Sequence, residues 1–143
     1  MTLRTSARPF TVVDAAIRVA IVGLALGTAY IHSTLGGLLF TLNAAGYLVA
    51  AMAMIVPLAF ASRFRWIVRI GLMGYAATTI IGWAIQGPYF STAYVAKGIE
   101  VTLIALLLVD FMRFDGNPFA VVRREIAGGL AYLRTRRAGL AGA

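Results

Sequence analysis

The chain contains no cysteine and a single histidine, His32. The lack of thiols excludes disulfides, thiolate metal sites and cysteine nucleophiles. Zinc sites and bis-imidazole haem sites need several strong ligands, so one histidine excludes most metal sites within one chain. The sequence also lacks a P-loop, a glycine-rich dinucleotide fingerprint and an HExxH motif. We therefore expect a protein that is not an enzyme and that has no metal site.

Charged residues are scarce as well. They make up 13% of the chain, whereas 61% of its residues are apolar; soluble domains usually carry ~25% charged and ~45–50% apolar residues. The net charge is +8, but the arginines lie at the ends of apolar stretches and form no basic stripe on a soluble face. The lipid bilayer is the expected partner, and nucleic acid is not.

The first half of the chain predicts two membrane-spanning helices. Residues 15–61 include only one formally charged residue, and a helix needs about 20 residues to cross a bilayer. A glycine pair and two hydroxyl residues at 33–37 predict a tight turn. We place helices over 15–33 and 38–60, and Pro57 is expected to bend the end of the second.

Two further helices are predicted in the second half, over 66–85 and 94–112. Gly87-Pro88 ends the first of them. The second carries three charged residues beside the dense apolar run 101–109. The predicted fold is therefore an all-α polytopic membrane protein, a bundle of four transmembrane helices.

The basic residues support four crossings. Twelve of the thirteen basic residues lie in three regions: before helix 1, between helices 2 and 3, and after helix 4, each counted with the adjoining helical turn. Lys97 alone lies elsewhere. Because cytoplasmic segments collect arginine and lysine, both termini are expected in the cytoplasm and the protein in the plasma (inner) membrane. The predicted organisation is a basic N-terminal segment (1–14), the transmembrane domain (15–112) and a cytoplasmic interfacial helix with a basic tail (113–143).

The tail predicts an amphipathic helix lying on the membrane surface. Asn117 suits the cap position and Pro118 the first helical position. Apolar residues recur at steps of three and four: Phe119, Val122, Ile126, Leu130 and Leu133. The alternative is a flexible basic tail, because Gly128 and Gly129 weaken a helix.

Five polar residues are predicted at the outer level of the bundle: His32, Asn43, Gln86, Lys97 and Glu100. One interpretation is an outward-facing polar pocket in which Glu100 pairs with His32 or Lys97, since ionisable residues within a membrane are costly and often functional. The other is that each group is satisfied locally, with Lys97 and Glu100 neutralising each other three residues apart.

His32 is also a candidate ligand for a tetrapyrrole, because one imidazole can hold haem iron or a chlorophyll-type magnesium from one side. Small neighbours, including Gly36 and Gly37, leave room for a flat ring. The absence of any cofactor is the main expectation, and a tetrapyrrole is the alternative.

Inner charges and glycines predict how the helices dock. Asp14 with Arg18, and Asp110 with Arg113, have the spacing of local ion pairs; Asp110 alternatively reaches Arg69 on helix 3. Close helix packing is predicted at the small residues Gly23, Gly27, Gly71 and Gly74, with either an internal or an external partner.

Three functional hypotheses follow. The first is a non-catalytic small subunit, or partner-binding protein, of a larger membrane complex, for example an energy-transducing one, because no reaction centre is complete. The second is a small homo-oligomeric transporter or channel that uses the polar pocket. The third is a haem- or pigment-binding protein that uses His32.

Overall fold

The computed structural model describes residues 9–55, 59–87 and 89–141, which form five α-helices and no strand within those ranges. The helices are α1 (Val12–Thr34), α2 (Leu38–Ile55), α3 (Ala59–Gln86), α4 (Ser91–Phe114) and α5 (Pro118–Ala141). The predicted all-α class is confirmed.

Among the described residues, three helices are long and apolar enough to cross a membrane. These segments are Val12–Thr34, Leu38–Ile55 and Arg65–Gln86. The fourth crossing predicted over 94–112 lies in α4, which is not among the three. Charged residues recur along α4 and interrupt its apolar composition.

The ends of α1 explain its length. Thr11 and Asp14 form a capping box: the Thr11 backbone N–H donates to Asp14 Oδ2 at 2.8 Å, and the Asp14 N–H donates to Thr11 Oγ1 at 3.3 Å. The helix therefore begins three residues before the predicted start. After Thr34 the chain turns through Gly36 (φ 71°) and Gly37 (φ 83°), a conformation that favours glycine. The predicted tight turn is confirmed, and it makes α1 and α2 a helical hairpin.

Helix α3 is longer than predicted. It begins at Ala59, so the basic residues 63–65 are helical rather than a linker; arginine is a good helix former, so the helix extends past its apolar part. Gly87, with φ 69°, follows its last residue. The predicted bend at Pro57 falls outside the described residues.

The tail is helical from Pro118 to Ala141, which does not fit a flexible tail. The Asn117 side-chain oxygen accepts a hydrogen bond from the Phe119 N–H at 2.9 Å, as a cap does. By itself, this helix with the last residues of α4 forms a compact unit over 111–143, separate from the unit 1–110. Four members of the predicted apolar stripe are exposed: Phe119, Ile126, Leu130 and Leu133.

The core of the first unit draws on α1, α2, α3 and α4. Its fully buried members are small or aliphatic, apart from one tyrosine: Ile21, Ala25, Tyr47, Ala51, Leu72, Ala76, Leu103 and Leu107. The face that α1 buries therefore runs through Ile21, Ala25 and Thr28.

The predicted packing glycines have no close neighbour within the described part of this chain, which leaves the external partner of that prediction untested. The four predicted packing positions are Gly23, Gly27, Gly71 and Gly74, and a Cβ added at any of them would meet nothing within 4 Å among the described residues. Gly46 of α2 is the tight position, because a Cβ there would lie 2.5 Å from the Tyr75 hydroxyl. A small-residue motif permits close approach but does not determine which face a helix buries.

Candidate functional site

Glu100 of α4 is the centre of a buried polar cluster. Its carboxylate is fully buried and accepts hydrogen bonds from Lys97 Nζ at 2.6 Å, Thr79 Oγ1 at 2.8 Å and Thr28 Oγ1 at 3.3 Å. The three donors come from α4, α3 and α1. An ammonium and two hydroxyls are the partners that an ionised carboxylate needs when it leaves water.

Lys97 and Glu100 pair locally, as one interpretation of the sequence predicted, but they are not solvated. Their three-residue spacing places them on one face of α4, and Lys97 is 8% exposed while Glu100 is 0% exposed. Burial of an ion pair is costly unless geometry and further hydrogen bonds compensate. The hydroxyls of Thr28 and Thr79 supply that compensation.

His32 of α1 lies on the other side of the carboxylate. Its Nδ1 is 2.8 Å from the Thr28 carbonyl oxygen, which can only accept, so the geometry assigns a proton to Nδ1. Its Nε2 lies 3.8 Å from Glu100 Oε1, beyond hydrogen-bond distance. A neutral His32 therefore presents a lone pair to a carboxylate, and a proton on Nε2 would turn this contact into an ion pair.

A chain of hydroxyls reaches the same carboxylate from α2. The Tyr47 hydroxyl lies 3.1 Å from Thr79 Oγ1, which lies 2.8 Å from Glu100 Oε2. Because a carboxylate can only accept, the Thr79 hydroxyl donates a hydrogen bond to it and accepts one from the Tyr47 hydroxyl. The Tyr47 ring is fully buried and its centroid is 5.9 Å from that of His32. All four helices of the first unit thus contribute to the cluster.

A cavity of about 440 Å³ adjoins this cluster, within the range of ~300–1,000 Å³ usual for small-molecule sites. Its wall combines aromatic rings with hydrogen-bonding groups: Phe40, Tyr75, Trp83 and Phe90, and His32, Asn43, Gln86 and Lys97. Four of the five residues predicted for a polar pocket therefore line one cavity. Glu100 lies behind Lys97 and His32 and does not line it.

Asn43 adds an acceptor at the cavity. Its side-chain Oδ1 is buried and has no hydrogen-bond partner among the described residues. Its backbone oxygen accepts a hydrogen bond from the Tyr75 hydroxyl at 3.2 Å, which holds this turn of α2 against α3. A buried acceptor without a partner calls for water or a ligand, and the cavity is where either would lie.

A second buried ionic cluster joins α1, α3 and α4. The Arg69 Nε lies 2.6 Å from Asp110 Oδ2, and the Arg18 Nε lies 3.7 Å from Asp110 Oδ1. Asp110 is fully buried and Arg69 is 2% exposed. Asp110 therefore docks α4 on α3 through Arg69, the alternative that sequence analysis raised, whereas Asp14 accepts hydrogen bonds from Thr11 in the helix cap.

The two clusters occupy two levels of the same bundle. Ten residues separate Arg18 from Thr28, Arg69 from Thr79, and Asp110 from Glu100, which is about 15 Å along each helix. The buried core residues between the two levels are apolar: Ile21, Ala25, Leu72, Ala76, Leu103 and Leu107. An apolar layer therefore separates the cavity end from the Arg18 end.

Comparisons with protein families, with characterised proteins and with solved structures find no match for this chain. The chemistry of the side chains is therefore what identifies the site. It combines a cavity of moderate size, an ammonium on the cavity wall, and an imidazole beside a buried carboxylate.

Three members of the cluster were not included in the predicted pocket: Thr28, Tyr47 and Thr79. Thr28 lies four residues before His32 and so on the same helix face, which is a signal the sequence contains. The tetrapyrrole hypothesis gains no support from the geometry, because both ring nitrogens of His32 are directed at protein oxygens.

Proposed function

We propose that this chain is a small membrane carrier that binds an organic molecule in the cavity at the His32 end of its helical bundle. The observation that carries the proposal is the cavity wall itself. His32 and Lys97 line the wall and contact a fully buried Glu100. Ionisable groups held inside a membrane bundle are costly and commonly mark substrate or proton paths.

A carrier fits this bundle better than an open channel. An aqueous pore needs polar groups along its length, whereas an apolar layer of about 15 Å, ten residues of helix, separates the cavity from the Arg18 end. Transport would therefore require the helices to move so that the substrate site opens to the other side, as in alternating access.

Four crossings are part of the proposal, with α4 as the fourth. Lys97, Glu100 and Asp110 lower the average hydropathy of α4, but neighbouring helices cover all three. The surface that α4 leaves exposed is mostly apolar, including Val95, Val101, Leu108, Val109 and Met112. Lipid would contact this surface and not the charges.

The proposed orientation places both termini and α5 on the cytoplasmic side, where short segments collect arginine. The absence of cysteine makes the test direct. Ser33→Cys and Ser91→Cys, both exposed near the cavity end, should react with a membrane-impermeant maleimide added outside intact cells. Thr135→Cys on α5, also exposed, should react only after permeabilisation. The reverse pattern contradicts the orientation.

Binding can be read from Trp83, which lines the cavity. In a Trp66→Phe background it is the only tryptophan. Three probes of one shape and different charge are suitable: phenylacetate, phenylacetamide and phenethylammonium. We expect at least one to quench the fluorescence saturably in lipid nanodiscs.

The matched controls come from two glycines of α3. Gly82 lines the cavity and Gly71 does not, and a Cβ at either meets nothing within 4 Å. Gly82→Phe should abolish quenching, whereas Gly71→Phe should retain it. If none of the three probes binds in a manner sensitive to Gly82→Phe, the proposed site is refuted. Flux of the radiolabelled, best-bound probe into liposomes, with Gly82→Phe liposomes as the background, then tests transport.

A second candidate function is that of a small subunit of a larger membrane assembly. The specific observation is that the predicted packing glycines, Gly23 and Gly27 on α1 and Gly71 and Gly74 on α3, have open space around them. Small residues on a membrane helix allow another helix to approach closely. Purification from native membranes in mild detergent tests this: subunits that co-elute in a fixed ratio support it, and a lone active chain contradicts it. An absorption spectrum of the same eluate, with a His32→Ala variant, tests the pigment hypothesis.

A further inference from the structure

The charge that faces the cavity is positive. Lys97 lines the cavity and Glu100, its partner, lies behind it. An ammonium has three N–H donors, and the contact with Glu100 uses one of them. A ligand in the cavity therefore meets an ammonium that still has donors to give, and it meets no carboxylate.

The empty site is electrically balanced. Lys97 contributes one positive charge, Glu100 one negative charge, and His32 none while only its Nδ1 carries a proton. Because Glu100 is fully buried and Lys97 is 8% exposed, an uncompensated charge on this cluster is strongly unfavourable. An anion that binds Lys97 would leave the site with one excess negative charge unless a cation accompanies it.

The position for that cation is already built. His32 Nε2 lies 3.8 Å from Glu100 Oε1 with two acceptors facing each other. A proton taken from solution onto Nε2 removes the opposition of the two lone pairs and turns the contact with the carboxylate into an ion pair. The other groups that face His32 are Tyr47 from α2, with ring centroids 5.9 Å apart, and beyond it Tyr75 from α3; Lys97 shares Glu100 from α4.

From this geometry we infer that the cavity binds a small organic monoanion, such as an aromatic or aliphatic carboxylate, together with one proton. The carboxylate of the ligand accepts a hydrogen bond from Lys97, its apolar body packs on the rings of Phe40, Trp83 and Phe90, and the proton lies on His32 Nε2, which pairs with Glu100. The charges of the loaded site sum to zero. This inference rests on the proposed function and adds to it the substrate class and the coupling ion.

The test compares the three probes by calorimetry in nanodiscs of zwitterionic lipid, at a pH where phenylacetate and phenethylammonium are both ionised. We expect phenylacetate to bind roughly tenfold to a hundredfold more tightly than phenylacetamide, the value of a hydrogen bond to a charged group. Phenethylammonium should bind least. Titrations in buffers of different ionisation enthalpy should show an uptake of about one proton with phenylacetate and none with phenylacetamide.

Two variants locate the effect. Lys97→Gln with Glu100→Gln keeps the site neutral and close to its native volume, so it avoids leaving one buried charge alone. It should lower the affinity for phenylacetate to that for phenylacetamide. His32→Gln should abolish the proton uptake and weaken phenylacetate more than it weakens phenylacetamide. An unchanged helical circular dichroism spectrum shows that each variant is folded.

The outcomes separate this inference from the proposed function. A wild-type protein that prefers phenylacetamide or phenethylammonium, or that binds phenylacetate without taking up a proton, overturns the inference and keeps the cavity as a binding site. Failure of all three probes to bind overturns the proposed function itself. Addition of phosphatidylglycerol to the nanodiscs identifies the source of the anion: competition with phenylacetate assigns the ammonium to a lipid phosphate, and unchanged affinity assigns it to a free carboxylate.

Discussion

Removal of the Asp110 charge should strongly destabilise the bundle. Asp110 is fully buried, and its Oδ2 lies 2.6 Å from the Nε of Arg69, which is only 2% exposed. The change Asp110→Asn keeps the shape of the side chain and removes the charge that faces the guanidinium. When one partner of a buried ion pair is removed, the cost is about 3–5 kcal/mol, because the remaining charge cannot return to water. This corresponds to roughly a two-hundred-fold to five-thousand-fold change in the unfolding equilibrium.

Reversible unfolding in mixed micelles, titrated with denaturing detergent and followed by circular dichroism, measures this difference. The matched control is Glu125→Gln on α5, an acidic residue whose side chain is 49% exposed and lies 3.6 Å from Arg124. An exposed pair of this kind contributes about 0–1 kcal/mol, so the control should unfold almost as the wild type does.

A second variant in the same experiment removes the charges of both Arg69 and Asp110. Arg69→Met combined with Asp110→Asn should recover most of the lost stability, because an apolar side chain of similar length replaces the stranded cation; Arg18, with a side chain 21% exposed, can extend its head group towards solvent. If Asp110→Asn costs no more than Glu125→Gln, or if the double variant is as unstable as the single one, the buried pair is not what docks α4 on α3.

Three further changes test the packing. Gly46→Ala should destabilise the protein by about 1–3 kcal/mol, because the new Cβ would lie 2.5 Å from the Tyr75 hydroxyl of α3. Gly71→Ala, with open space around it, should leave the stability unchanged or raise it by up to ~1 kcal/mol. Equal effects of the two changes would contradict the assigned contact between Gly46 and Tyr75. Tyr47→Phe keeps the buried ring and should lower the free energy of unfolding by about 1 kcal/mol, because the hydrogen bond to Thr79 is lost. An unchanged free energy of unfolding would contradict the chain of hydroxyls. Thr11→Ala removes the cap of α1 and should cost about 1 kcal/mol in the same unfolding assay; an unchanged midpoint would argue against the capping box.

Local patterns in the sequence were sufficient for the helices and for the level at which polar groups lie. Apolar runs of bilayer length, the Gly36-Gly37 turn and the Asn117-Pro118 start of α5 depend on residues close together in the chain. Because each residue advances a helix by a fixed rise of about 1.5 Å, the depth of a side chain follows from its position. The positions of His32 and Gln86 in their helices therefore predict that both lie at one end of the bundle.

The partners of each side chain were decided by the tertiary structure. Asp110 had two candidates from sequence, and packing selected Arg69, 41 residues away. The glycine motif of α1, Gly23 and Gly27, lies on a face with open space around it. The face that α1 buries carries Ile21, Ala25 and Thr28. The suitability of α4 for the membrane also depends on packing. Lys97, Glu100 and Asp110 lower the hydropathy of its sequence, but all three side chains are buried in the bundle.

The sequence by itself determined the all-helical fold, the hairpin of α1 and α2, and the axial position of most of the polar side chains that line the cavity. Only the tertiary structure decided how each helix is rotated, and therefore that Thr28, Tyr47 and Thr79 surround Glu100 while Lys97 faces the cavity. The physical reason is that rise along a helix is a local property of the backbone. Rotation about the helix axis is set by contacts with side chains distant in the chain.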